Sequence, residues 1–152
     1  MVLQPLDEPL AQFKSVFDAE GLQGALRFLN ARTGYRYTAI YRLGGQMIQN
    51  IALYDRLGKT LVDLTEVPLS DSFCQFAIEV NGFNTTNSAV DNRVDGHIKQ
   101  GIINSYFGLP LSRKPGTIYG TLCYFDDEPM ELPDGEHALL EAVGPVLMDR
   151  LA

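Results

Sequence analysis

The sequence predicts an α+β domain in which one antiparallel sheet carries helices packed on it. Helical periodicity occupies both ends of the chain, two β-hairpin patterns lie between them, and a short helix with a polar loop separates the hairpins. The order is helix, helix, hairpin, helix, strand, loop, hairpin, helix. Terminal helices that both carry apolar stripes would share one face of the sheet, leaving residues 70–104 to cover the other. A short helix and a long polar loop cover a sheet incompletely, so a pocket is expected on that face.

At the N-terminus Leu6, Leu10, Phe13 and Phe17 recur at helical spacing. After Gly21 the pattern restarts with Leu22, Leu26 and Leu29, and Gly34 offers a stop, which gives two consecutive helices. The linker at Glu20-Gly21 divides an N-terminal helix, residues 1–19, from a domain of residues 20–152. A stripe of Leu10, Phe13 and Phe17 beyond what the sheet needs for cover implies a homodimer contact through the first and last helices.

YRYTAIYR, Gly44-Gly45 and QMIQNIALY spell a hairpin with a tight turn. Arg56 to Lys59 reads as another turn, with Leu57 to Leu64 extending or pairing with the sheet. A helix is expected from Ser72 to Val80, with Phe73, Ala77 and Val80 on one face and a stop at Asn81-Gly82. Phe83 to Thr86 is a brief strand, NSAVDNRVDG a loop, and HIKQGI one helical stretch. The second hairpin, from Ser105 to Asp126, turns at Pro115-Gly116. Asp134 can cap a last helix whose buried stripe is Leu139, Leu140, Val143 and Leu147, and Pro145 is expected to kink it by displacing the carbonyl of Glu141.

Net charge excludes several partners. A formal charge of −7, with no basic run longer than Arg113-Lys114, repels phosphate backbones and anionic lipid, so neither nucleic acid nor a membrane is an expected partner. No apolar stretch approaches the ~20 residues that span a bilayer, and the N-terminus lacks a signal-peptide pattern, so a cytoplasmic location is expected. Two cysteines without a C-x-x-C pair suit neither a disulfide framework nor a zinc site.

Ser72-Phe73-Cys74, Asp91-x-Arg93, Tyr106-x-Gly108-x-Pro110-Leu111 and Gly120-Thr121-Leu122-Cys123-x-x-Asp126 follow one another in the order found in GAF domains. The region from Leu22 to Leu151 resembles that family, which is common in bacterial signalling proteins and related to PAS domains. The resemblance implies a five- to six-stranded antiparallel sheet, terminal helices that often pair between subunits, and a small-molecule pocket on the opposite face. Asn104 stands where such relatives usually carry arginine, and Phe107 where a small residue is common. The cysteine before a histidine that attaches bilins is absent, because Gly96 precedes His97, and the signature of cyclic-nucleotide-binding members is also missing. Bilin and cyclic nucleotide are therefore disfavoured as cofactors.

Cys74 and Cys123 read as small buried hydrophobes in preference to catalytic thiols. Some stand-alone GAF proteins reduce free methionine sulfoxide with a thiolate resolved by further cysteines near a mobile loop. The loop from Asn84 to Gly96 contains no cysteine, and neither thiol has a flanking lysine or arginine to lower its pKa. Calcium is excluded in the DNRVDG loop, because Arg93 and Ile102 occupy positions that need oxygen ligands. Haem would need His97 as an axial ligand, and a lone histidine favours a hydrogen-bonded role. His137 is expected to be solvated, and Asp126-Asp127-Glu128 to be a solvated exit turn. Asp91 and Arg93 fit ligand binding and a loop-pinning salt bridge equally.

The reading is a non-catalytic sensory or regulatory module that binds a small molecule. Its expected contacts are Phe73, Cys74, Phe76, Asp91, Arg93, His97, Ile102, Tyr106, Thr121 and Cys123, with the helix from Ser72 to Val80 and the Asp91-Arg93 loop as a mobile lid. Strand alternation puts Tyr106, Thr121 and Cys123 on the pocket face and Leu109, Leu111, Gly120 and Leu122 against the terminal helices. A thiol enzyme and a dimerisation domain whose pocket is filled by its own aromatics are the alternatives. Signalling would involve a partner protein.

Overall fold

A computed structural model describes residues 6–151, so the outermost positions of the two expected segments, 1–5 and 152, lie outside the described residues. Helix α1 spans Asp7–Ala31 and is broken at Gly21, whose φ of 76° and ψ of −167° no helix accommodates. The expected pair of consecutive helices is thus present, with the glycine at their joint. Strands β1 (Tyr37–Gly44) and β2 (Met47–Asp55) form the first hairpin, and β5 (Ser105–Lys114) and β6 (Thr117–Asp126) the second. Between the hairpins come β3 (Glu66–Pro68), helix α2 (Cys74–Glu79) and β4 (Phe83–Thr85); α3 (Glu136–Leu151) closes the chain and runs through Pro145.

The sheet has six strands in the order β3-β2-β1-β6-β5-β4, with antiparallel pairs throughout. One face packs on α1 and α3 through Leu26, Leu29, Ile40, Leu109, Leu111, Leu122, Leu140 and Val143. The opposite face carries Ala39, Ile48, Tyr106 and Cys123, covered by Phe73, Cys74 and Ala77 of the α2 region. The alternation expected for the second hairpin therefore has the correct phase. Gly120 is needed where β6 meets β1, since a Cβ there would collide with the Tyr41 carbonyl.

Four local expectations are corrected. Leu57 to Leu64 forms no strand; the third strand is β3, after a turn and an irregular strap of residues 57–65. HIKQGI forms hydrogen-bonded turns in place of a helix, because Gly101 adopts φ 76° and the bonds from His97 N to Val94 O and from Gln100 N to His97 O close only single turns. Val80 ends α2 with its side chain 62% exposed, since the helix stops at Glu79 before a further turn could carry that position onto the sheet. Asp126 is buried, accepting hydrogen bonds from the backbone N–H of Arg36 at 2.8 Å and of Glu128 at 2.9 Å, so only the later part of the acidic run is a surface turn.

Phe13 is fully buried in the same core as Leu26 and Leu29, which makes the first half of α1 part of the monomer's own packing. Leu10 and Phe17 remain half-buried beside it. Among the described residues no helix is long and apolar enough to cross a membrane.

The strap after β2 hangs from Asp55. Its carboxylate receives Arg36 Nε at 2.9 Å and Nη2 at 3.1 Å, and the N–H groups of Leu57, Lys59 and Thr60 at 3.0, 3.1 and 2.8 Å. Ion pairing with Arg36, helped by those N–H groups, outweighs burial and holds the carboxyl well below the usual carboxylate range. Its folded pKa is depressed, so its contribution is complete above the ordinary value of ~4 and is lost as pH falls through the acid range. Asp55→Ala should cost about 2–3 kcal/mol at neutral pH, because it strands the partner charge and three N–H groups. Urea unfolding at pH 7 and at acid pH checks this: the gap between wild type and variant should shrink on acidification.

Candidate functional site

The sheet face away from the terminal helices has two zones. The first, under α2, is filled. Phe73 meets Phe76, Tyr106 and His97 at ring-centroid distances of 6.0, 5.9 and 4.8 Å, and Phe76 meets Phe83 at 5.1 Å. The chain's own aromatics thus occupy the space over β5. Gly108 makes this possible, because a Cβ there would collide with the Tyr106 ring, which lies along the strand toward Cys74.

Both cysteines sit in this filled zone, reduced and buried. The Tyr106 hydroxyl donates to Cys74 Sγ at 3.4 Å, and Thr121 Oγ1 lies 3.1 Å from the same sulfur. Cys123 donates to the Ala39 carbonyl at 3.7 Å. Burial works against ionisation of Cys74, but hydrogen bonds from Cys123, Ser72, Thr121 and Tyr106 outweigh it and lower that thiol's pKa. Burial and the neighbouring Cys74 push Cys123 up. Both thiols are sealed from solvent, and among the described residues no cation touches Cys74.

His97 joins the aromatic layer from the loop. Its Nδ1 accepts the Lys99 N–H at 3.0 Å, so the neutral ring carries its proton on Nε2, which is buried without a hydrogen-bond partner among the described residues. An iron ligand at Nε2 would have to exchange that tautomer and give up the Lys99 bond. Asp91 and Arg93 form a salt bridge at 2.6 Å on the outer surface, where Arg93 also donates to Asn84 O at 2.7 Å and lies over the Phe83 ring. This arrangement pins the loop. Ile102 is 61% exposed and lines no part of the interior.

The second zone is an open cleft of about 370 Å³ over β1, β2 and the end of β6. Its floor is Tyr41, Ile48, Asn50 and Leu53; Tyr37 and Phe125, stacked at 4.7 Å, form one wall. The strap contributes Leu61 and Asp63, and Asp71, Lys99 and Ile103 complete the rim. None of the ten residues named from sequence lines it, although Phe73, Cys74, Phe76, His97, Tyr106, Thr121 and Cys123 are brought together directly beside it. The same parity that places Cys123 on this face places Phe125 there, and an asparagine inside QMIQNIALY is the sequence signal for a polar group on an otherwise apolar floor. A second hollow of about 310 Å³ between β5 and α3 has no aromatic lining.

Asn50 shares the cleft face with Ile48 by ordinary alternation, and a bulge just beyond it brings Leu53 to the same face. The register passes from Tyr41 opposite Asn50 to Ile40 opposite Ala52, leaving Ile51 as the extra residue. The Asn50 amide nitrogen donates to Ile40 O at 3.2 Å and Ala52 O at 2.8 Å across the irregularity. Both N–H bonds are thereby used.

No family model matches the chain. Over 95 residues it is 35% identical to a cyclic di-GMP phosphodiesterase of Pseudomonas aeruginosa, a match that spans 59% of this chain and 16% of that protein. Its backbone is similar to the GAF domain of an Acinetobacter phosphoenolpyruvate-protein phosphotransferase, with TM-score 0.74 at 14% identity over 98% of this chain and 96% of that one. It is also similar to the free methionine-R-sulfoxide reductase of Neisseria meningitidis, with TM-score 0.70 at 15% identity over 99% and 93%. The chain has the GAF fold.

Both thiols should resist an aromatic disulfide reagent in the native protein and react fully only on unfolding. Cys123→Ser should cost about 1–3 kcal/mol through a buried hydroxyl, and Cys123→Ala less. Rapid reaction of one thiol in the folded state would reveal an accessible nucleophile.

Proposed function

We propose that this chain is a non-catalytic sensory or regulatory GAF module whose ligand is a small molecule held in the cleft over β1 and β2. The carrying observation is that an open, aromatic-walled cleft lies on the sheet face opposite the terminal helices while the only two thiols of the chain are sealed beneath α2. Partial similarity to a phosphodiesterase of a signalling nucleotide supports a regulatory setting. Burial of Cys74 and Cys123 argues against the reductase reading, because a thiolate that attacks a sulfoxide must meet it.

The moving cover in this proposal is the strap of residues 57–65. Leu61 is 86% exposed there, and the strap has no regular structure between its anchors at Asp55 and at Leu64 O, which accepts from Gln49 Nε2. The segment first expected to be mobile is more tightly tied: Ser88 Oγ donates to Ile103 O at 2.6 Å and accepts from Gly101 N at 3.0 Å, and Gln100 bonds Ser88 O at 3.1 Å. A homodimer through α1 and α3 remains part of the proposal, resting on half-buried Leu10 and Phe17. A partner protein would read the outcome.

Native mass measurement of freshly purified protein tests the ligand. Wild type should retain a bound small molecule, and Leu53→Trp, which fills the floor, should lose it while melting normally. Turnover of free methionine sulfoxide with a thiol reductant would replace the sensor by the enzyme. For the dimer, Leu10→Glu with Phe17→Glu should sediment as a folded monomer; an unchanged dimer counts against these helices as the interface.

A further inference from the structure

The charged groups that line the cleft are three carboxylates, Asp63, Asp71 and Asp127, against one lysine, beside hydroxyls that donate or accept. Asn50 is only 9% exposed, and both its N–H bonds go to Ile40 O and Ala52 O, so the group left to face the cleft is its carbonyl oxygen, which has no donor among the described residues. Flipping the amide would set that oxygen against two carbonyls, so the orientation is fixed by chemistry. Two carboxylates stand on the rim without a cationic partner. Asp71 is half-buried and unpaired, and Asp63 only caps the N–H of Thr65 at 2.9 Å. Asp127, also on the rim, shares Arg36 with Asp55. Lys99 is the one basic residue in the lining. With Arg36 divided between two aspartates and Lys99 set against Asp63 and Asp71, the surroundings stay negative. Tyr41 in the floor and Phe125 in the wall present aromatic rings, which attract cations, whereas Tyr37 is stacked on Phe125 and carries the Arg36 guanidinium 4.8 Å from its ring centroid.

Resting on the reading of the cleft as the ligand site, we infer that it selects an organic cation: an ammonium, amidinium or guanidinium head on an apolar or aromatic body. The head supplies the donors that Asn50 and the carboxylates lack, and the body replaces water over Ile48, Leu53 and Phe125. A phosphate-bearing ligand such as a cyclic nucleotide would meet Asp63, Asp71 and Asp127 at the rim, and desolvating like charges is unfavourable.

Four probes built on one aromatic ring separate charge from shape: benzyltrimethylammonium and benzylammonium as cations, benzyl alcohol as neutral, and benzenesulfonate as anion, each followed by amide chemical shifts of the whole chain. The cations should perturb Tyr41, Asn50 and Leu53, bind at least about tenfold tighter than the anion, and weaken as salt is raised. Two rim ion pairs at up to ~1 kcal/mol each set the scale, so Asp63→Asn with Asp71→Asn should weaken the cations by about tenfold and leave benzyl alcohol unchanged. Tighter cleft binding of the sulfonate or the alcohol overturns the charge inference and leaves the small-molecule reading standing. If none of the probes moves a cleft amide, the cation inference fails, and the native mass result decides whether the cleft reading fails with it.

Discussion

A single side-chain amide determines what the upper face of this sheet can be. At the bulge around Ile51, Asn50 donates to the Ile40 carbonyl of β1 and the Ala52 carbonyl of β2. Losing that bridge would remove two buried hydrogen bonds, at about 0.5–1.5 kcal/mol each. With it, alternation shifts by one beyond Asn50. Ile48, Asn50 and Leu53 then share the cleft face, while Ala52 and Tyr54 turn to the helices. The shift also delivers Asp55 to the strand end at the height of Arg36, from which the strap is suspended.

Strand alternation and helical stripes made much of the architecture legible. The second hairpin has apolar residues at every other position and a Pro-Gly turn, so its register had little freedom, and its faces fall as alternation requires. Gly21 marked the helix break because only glycine takes its φ readily. The strap was misread because Leu57, Leu61, Val62 and Leu64 are apolar enough to suggest a strand, whereas the Asp55 carboxylate draws Leu57, Lys59 and Thr60 into a turn and removes their N–H groups from any ladder. His97 to Ile102 failed as a helix because Gly96 and Gly101 both take positive φ.

The site was less legible for a related reason. Periodicity tells which face a residue occupies and nothing about how full that face is. Tyr106, Thr121 and Cys123 do face away from the helices, but Gly108 lets the Tyr106 ring lie flat, and Phe73, Phe76, Phe83 and His97 then close the space. What stays open is displaced toward β2, where the cover is an irregular strap in place of a helix. A bulge is a property of pairing between strands, so the arrival of Leu53 beside Asn50 on the cleft face could not be read from β2 alone.

The tautomer of His97 has a spectroscopic consequence. An Nε2–H sealed from water, on an imidazole whose centroid lies 4.8 and 5.5 Å from those of the Phe73 and Phe76 rings, should exchange slowly and feel their ring currents. Most histidine side-chain protons vanish into solvent exchange; this one should give a discrete, displaced imidazole resonance. Its line would report the integrity of the aromatic layer from inside, without a label, and the Lys99 N–H on Nδ1 links it to the rim of the neighbouring cleft.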